Sequence, residues 1–489
     1  MKRIVIVALS LLITACGSRA QNTNSAQDRA KDMAKILAMQ AQVTEEVPPL
    51  EHVEYRVVDI PYITKADTVD VRQVHMFIPE ASERPIPVVY IPHYAMEENS
   101  LELRSYLSEG WAVVSPTAFK NDYNGMLTDD DLVFNNAALY TVRHTEEFDP
   151  QRILLVGGSA GGYMTMMLNG LQMGICASIA QAPVENVYFN FYQHFQAASK
   201  LNGGAFLKLL LKHGKKLTEG TDEEKAEALM AAMMEMPLPF IGMVSGMFEP
   251  ILNNFPDKED YARWEALSPV GLGDCYSSPF IVYHCTSDLL VPVDQTTRKF
   301  TYEKNGDSMP EGFSTRLNPK NPGKLGLALD DVLPAELTRV KSFPIIPVDS
   351  TIVIDYDLVK PFNINISDDG PVESYGSHNT GLPAGTLDMI PYLCDMASRS
   401  LSTTEMLRPG KVHLLLERYA GKSAQLPAHE GVDEGTYGSL AVYRQEVVEE
   451  LARYAKNHSL EELEAAVRPI VESNFILKES WNEIKRKIR

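Results

Sequence analysis

The stretch Ile153-Leu154-Leu155-Val156-Gly157-Gly158-Ser159-Ala160-Gly161-Gly162 constrains this chain more than any other. An apolar run of β-favouring residues drives into Gly-x-Ser-x-Gly, and a helix-compatible segment from Tyr163 to Leu168 follows at once. The order is strand, sharp turn, helix. Such a turn lifts one side chain clear of the backbone, and only small residues on either side avoid a clash. Ser159 is the residue so presented. It predicts a nucleophile and, with it, acyl transfer to water through a covalent intermediate.

The surrounding pattern predicts the scaffold. Residues 53–62 and 69–78 read as two strands joined by the polar turn Lys65-Ala66-Asp67, and Val88 to Ile91 as a third. Trp111 to Ser115 follows a helix-like stretch from Ser100 to Glu109, and Asp130 to His144 reads as another helix before the strand Ile153–Val156. Further strands are expected at Ile175–Ala182, Phe280–Tyr283 and His413–Arg418. Strands alternating with helical segments predict an α/β architecture, a mainly parallel, doubly wound sheet. Short runs that are apolar on both faces suit strands covered by helices on each side.

Two stretches break that rhythm. Residues 185–268 are aromatic and methionine-rich, with Tyr188, Phe189, Phe191, Tyr192 and Phe195 followed by Met230, Met233, Met234, Met236, Met243, Met247 and Phe248. Their place between two strands predicts a helical cap; the other reading of methionines at helical spacing is internal packing. Residues 303–409 form a second insertion, before the last expected strand. Within it Thr351 to Tyr356 looks like a strand, and Asp368-Asp369-Gly370 and Asn379-Thr380-Gly381 look like turns. A helix is expected within 433–457, closing a domain of residues 51–457. A helical extension of one or two helices, 458–489, is expected beyond it.

The chain opens Met1-Lys2-Arg3, runs apolar from Ile4 to Ala15 and reaches Cys16. A basic start and a short apolar stretch read as an export signal, too short to span a membrane comfortably. Ile13-Thr14-Ala15-Cys16 resembles the lipobox of bacterial lipoproteins. That resemblance implies removal of residues 1–15, lipid on Cys16, and a location at the bacterial cell envelope with the membrane reached only through the lipid. The competing reading is a plain secretory signal cleaved near Ala20. Residues 16–50 then form a flexible tether rich in Ser, Gln, Asn and Ala.

The net charge of -20 argues against a nucleic-acid partner, which wants a basic patch. Beyond Cys16 the cysteines are Cys176, Cys275, Cys285 and Cys394. Cys176 and Cys285 lie in apolar, strand-like surroundings and read as buried thiols. Cys275 with Cys394 is a candidate disulfide. The spacings do not suggest a metal site.

A serine nucleophile needs a general base, and the base an orienting acid. Asp288 sits just after the strand Phe280–Tyr283, at the carboxyl edge where functional groups gather in open α/β sheets. An Asp there also serves as a helix cap. His429 lies in a loop between the expected last strand and a helix, within reach of the same edge. The chain order is Ser159, Asp288, His429. The rival for the base is His378, in Tyr375-Gly376-Ser377-His378-Asn379, while His93 and His284 read as structural or rim residues. His194 in the cap is either a substrate contact or surface. Asp355 and Asp357 are alternative acids.

These pieces together resemble an α/β-hydrolase of the esterase and prolyl-oligopeptidase-like group. The matching residues are Pro87 to His93, Glu109 to Pro116, Phe148 to Ile153, the 157–162 turn, Leu267-Ser268-Pro269 and Tyr283 to Pro292. The resemblance implies the α/β-hydrolase fold, a catalytic Ser159–Asp288–His429 set, and an oxyanion hole from Ala160 N–H and Tyr94, through its backbone N–H or its hydroxyl. It implies no metal or organic cofactor. Two departures stand out: His93-Tyr94-Ala95-Met96 replaces His-Gly-Gly-Gly, and Cys285 stands where glycine is usual.

The apolar cap favours a small or medium acyl-bearing ester as substrate. Short peptides are the second reading, though residues 17–52 leave no room for the propeller that many peptidase relatives carry. An amine clamp would draw on Glu185, Glu235 or Glu249, each of which otherwise reads as solvated surface. A non-catalytic binding protein on the same scaffold is the third reading. Nothing in the sequence speaks to oligomeric state.

Overall fold

The computed structural model describes residues 49–64, 66–93, 96, 98, 100–116, 129–187, 190, 208, 211–216, 219–221, 224, 228, 268–276, 278, 280–285, 291, 339–342, 351–355, 390–399, 407–421 and 435–489. In chain order the elements are β1 (Val53–Ile63), β2 (Val69–Pro79), β3 (Ile86–Tyr90), α1 (Leu101–Ser108), β4 (Ala112–Pro116), α2 (Asp129–His144), β5 (Phe148–Gly158), α3 (Ala160–Leu171) and β6 (Ile175–Gln181). A 3-10 turn, Pro269–Cys275, precedes β7 (Phe280–Cys285), and β8 (Arg339–Ser342) and β9 (Thr351–Asp355) follow. The remaining helices are α4 (Ile390–Arg399), α5 (Pro409–Tyr419), α6 (Leu440–Asn457), α7 (Leu460–Glu472) and α8 (Phe475–Ile488).

The described strands form one mixed sheet, ordered β1-β2-β4-β3-β5-β6-β7-β9-β8. The five central strands, β4-β3-β5-β6-β7, run parallel. At one edge β2 and β1 are antiparallel, and at the other β9 and β8 are.

Side-chain alternation gives each central strand two apolar faces. Val88, Tyr90, Ile153 and Leu155 join one cluster with Phe134 and Val142 of α2 and Met164 and Leu168 of α3. Val89, Leu154 and Val156 point the other way, onto Leu103, Tyr106 and Leu107 of α1 and Ile390, Leu393 and Cys394 of α4. The sheet is thus covered on both faces, which its uninterrupted apolar strands require. A third cluster joins Val412, Leu415, Leu416 and Tyr419 of α5 to Val447 and Leu451 of α6, Leu463 and Val467 of α7, and Leu477, Trp481 and Ile484 of α8.

Helix starts follow local chemistry. Ser100 accepts the Leu103 N–H at 3.3 Å, Ser439 that of Val442 at 3.3 Å, and Ser459 that of Glu462 at 3.0 Å, each satisfying a first-turn donor. Among the described residues no helix is long and apolar enough to cross a membrane.

Four expectations change. The sheet is mixed, not mainly parallel, because both edges end in antiparallel hairpins. The expected last strand at 413–418 is the helix α5. Its apolar residues Val412, Leu415, Leu416 and Tyr419 recur at helical spacing, and Pro409 opens its first turn. The stretch 303–409 is not simply an insertion before a last strand, for it supplies β8, β9 and α4 to the sheet and its face. Cys275 and Cys394 are not disulfide-bonded, since Cys394 packs with α1 on one face and Cys275 lies against the cluster on the other. Cys176 is buried as expected, and burial pushes its thiol up to about 12.

Below the sheet's amino-terminal edge lies a buried ionic knot. Glu446 of α6 pairs with Arg143 of α2 and, at 3.7 Å, with Arg418 of α5. Arg143 also donates to Gln172 Oε1 at 3.0 Å and to Met173 O at 3.2 Å. Removing the anion leaves two buried cations without it, a change that typically costs about 3–5 kcal/mol. Glu446→Ala is therefore expected to lower the unfolding free energy by about that amount in urea titration, while Glu449→Ala, on the exposed side of the same helix, leaves it within about 0.5 kcal/mol.

Candidate active site

The strand order reverses between β3 and β5: from β3 the chain crosses by α1 on one face to β4, and from β5 by α3 on the other face to β6. Loops leaving the carboxyl ends of two such strands diverge and open a crevice, the place where open α/β sheets bind ligands. Ser159 stands at the mouth of that crevice, directly after β5. Tyr90 of β3 pairs with Leu155 of β5, so His93 leaves the sheet at about the level of Gly158.

Ser159 has φ 54 and ψ −116, a left-handed conformation that costs a non-glycine residue about 1–3 kcal/mol. Its N–H donates to Gln181 O at 2.8 Å, and its carbonyl accepts from Tyr163 N at 2.9 Å, closing the first turn of α3. The hydroxyl is not spent on capping: Ser159 occupies the N-cap position, yet its side chain makes no cap hydrogen bond. The backbone holds the residue while the side chain stays available for chemistry. Ala160 begins α3 and is buried. First-turn amides of a helix have no intrahelical acceptor and sit at the positive end of the helix dipole, which suits them to a developing oxyanion.

The flanking glycines are fixed by space. A Cβ on Gly157 would stand 2.4 Å from Gly161 O and 2.8 Å from Thr165 Oγ1. One on Gly162 would stand 3.0 Å from Gln181 O and 3.1 Å from Pro183 Cα. The chain after β6 therefore runs hard against the turn, and Ala182 there also has positive φ, at 41.

His93 is buried, and burial lowers its imidazole to about 4, although the Asp131 carboxylate pulls the other way. Asp131 pairs with Arg72, whose guanidinium stacks 5.3 Å from the Phe134 ring and 5.5 Å from that of Tyr62. His93 is thus a buried, neutral group just beyond the end of β3. His284 is buried too, and its ring nitrogen Nε2 lies 2.7 Å from Val291 O, consistent with an N–H donating to that carbonyl. That bond joins the end of β7 to Val291. Glu185 departs from its solvated reading: it is wholly buried beyond β6, its carbonyl accepting from Val270 N at 3.2 Å. It faces Tyr276, whose phenol is pushed up by burial and further by that carboxylate.

Tyr94, Asp288, His429, His378, His194, Glu235, Glu249, Asp357 and Cys16 lie outside the described residues, as do the methionines of the cap. The backbone of Asp355 is described: it ends β9, level with Ile281, at the edge of the sheet opposite Ser159. Among the described residues no group of three or more His, Cys, Asp or Glu side chains could hold a metal ion.

No protein-family model matches the chain, and no curated protein matches it. Solved structures do. An acylaminoacyl peptidase from Pyrococcus horikoshii shares 17% identity over 52% of this chain and 35% of its own, with a TM-score of 0.33. A puromycin hydrolase shares 13% over 50% of this chain and 33% of its own, TM-score 0.30. An arylesterase shares 15% over 32% of this chain and 57% of its own, TM-score 0.23. The chain thus spans about a third of the length of the first two. These are partial likenesses, and the reading of the site rests on its own geometry.

That geometry makes a sharp expectation. Gly157→Ala should destabilise the protein by about 3 kcal/mol or more in thermal or urea melts, because the clash is with backbone rather than a movable side chain. Gly214→Ala, where an added Cβ meets nothing within 4 Å, should leave stability within about 1 kcal/mol.

Proposed function

We propose that the chain is a serine hydrolase that cleaves carboxylic esters through an acyl-enzyme on Ser159. The observation that carries this reading is the turn itself: a serine held at φ 54 between β5 and α3, with its hydroxyl left out of the helix cap. Local strain of this kind persists where surrounding structure over-determines it, and it clusters at functional sites.

In the proposed mechanism His429, oriented by Asp288, takes the Ser159 proton as the oxygen attacks the substrate carbonyl. The oxyanion rests against Ala160 N–H and a donor from Tyr94. The protonated histidine then delivers its proton to the departing alcohol, and water attacks the acyl-enzyme with the same base. Each oxyanion donor contributes about 3–4 kcal/mol in comparable sites.

Residues 409–419, ahead of His429, are a helix docked at the far end of α3 rather than the expected strand. His378, the rival base in the sequence, is therefore tested beside His429. For the substrate, short peptides remain the alternative to esters, and a non-catalytic binding role the alternative to both.

The test is p-nitrophenyl ester hydrolysis across acyl lengths, with fluorophosphonate labelling in parallel. Ser159→Ala should abolish both activities. Between His429→Ala and His378→Ala, the variant that removes the base should lower kcat by a thousandfold or more with melting unchanged, and the other should not. Wild-type protein that is folded yet neither turns over esters nor takes the label would sink the hydrolase reading; label without ester turnover would move the substrate to peptides.

We also propose that the chain is exported and lipid-anchored through Cys16, supported by Ile13-Thr14-Ala15-Cys16 after a basic, apolar start. Incorporation of an alkyne-palmitate probe in a bacterial host, lost in Cys16→Ala, is the expected result; equal incorporation in both would refute the anchor.

A further inference from the structure

The C-terminal end of α3 is held in an unusual way. The last four carbonyls of a helix lack intrahelical donors. Here the Nζ of Lys411, on α5, donates to Gly170 O at 2.5 Å, Gln172 O at 2.8 Å and Asn169 O at 3.2 Å. Arg418 Nη2, two turns along the same helix, donates to Leu171 O at 2.6 Å. Four successive carbonyls are thus taken by two cations, and Lys411 is wholly buried. A lysine ammonium carries three N–H groups on one atom at the end of a flexible stem, which is what a fan of three carbonyls needs. Cations at a helix C-terminus also meet the negative end of the helix dipole.

We propose that Lys411 is a positioning residue for Ser159: by gathering the carbonyls at the far end of α3 it fixes the tilt and depth of the helix whose first turn presents the nucleophile. The inference rests on the reading of Ser159 as nucleophile. α3 has 12 residues, about 18 Å of stiff rod at 1.5 Å per residue. At its front end the turn is pinned by the Ser159–Gln181 hydrogen bond, and at its back end by Lys411 and Arg418. Buried side chains from Met164 to Leu171 keep α3 on the sheet if the back end is released. The loss then shows as displacement rather than unfolding, and a shift of about 1 Å at a reacting group can cost a hundredfold in rate.

The experiment is hydrogen exchange of the full chain, read in peptides covering 163–172, for wild type and Lys411→Met. Exchange of this segment should be several-fold faster in the variant. Fluorophosphonate labelling of Ser159 should be about tenfold slower in Lys411→Met and recover in part in Lys411→Arg. Equal exchange in wild type and variant, or labelling at the wild-type rate in a variant whose α3 exchange has changed, overturns the proposal. A wild type that takes no label counts against the hydrolase reading, and exchange still decides the anchor. If Lys411→Met does not fold, Lys411→Arg carries both readouts, and wild-type exchange and labelling in it overturn the proposal.

Discussion

The hydrogen bond from Ser159 N–H to Gln181 O, 2.8 Å long, is the contact on which the rest of the site depends. It ties the end of β5 to the end of β6 at the moment the chain must reverse into α3. Without it, positive φ at Ser159 would be strain with nothing to hold it. With it, the left-handed residue becomes the cheapest way to join two fixed ends. The glycines follow as a consequence: Gly157 must let the Gly161 carbonyl approach, and Gly162 must let the 181–183 backbone pass.

From that contact the architecture extends in two directions. Forward, the first turn of α3 lies at the crevice between β3 and β5, with the Ser159 side chain left out of the helix cap. Backward, α3 runs through the apolar layer and ends on Lys411 and Arg418 of α5, the second paired with Glu446, and α5 is held by the cluster of α5 to α8. The polar groups around the crevice are braced too. His93 stays neutral behind it, and His284 is bonded to Val291 O.

Much of this was legible in the chain. The polar turn at 65–67 marked β1 and β2 on its two sides, apolar runs located β3 to β7, and Gly-x-Ser-x-Gly located the turn, because each signal is local. Residues 412–418 were misread for a physical reason: the run Leu414-Leu415-Leu416 masks the spacing of Val412, Leu415, Leu416 and Tyr419, and an apolar run alone does not separate a buried strand from a helix. Glu185 and Lys411 were invisible as buried groups, since a charged residue announces nothing about burial until its partners, here some 240 positions away for Lys411, are brought to it. His284 carried a faint signal, a polar residue inside an apolar strand, which marks a side chain with a buried partner.

The separation between Lys411 and the carbonyls it meets has a consequence for how the molecule comes into being. Gly170 and Lys411 are 241 positions apart, and α5 is supported in turn by Leu477, Trp481 and Ile484 near the end of the chain. The serine turn is local and can form as soon as β5, α3 and β6 exist. The seat beneath its helix cannot close until almost everything downstream has been synthesised, and contacts so distant in sequence are slow to find. The serine turn rests on contacts close in sequence, and the support beneath its helix on contacts among the most distant in the chain.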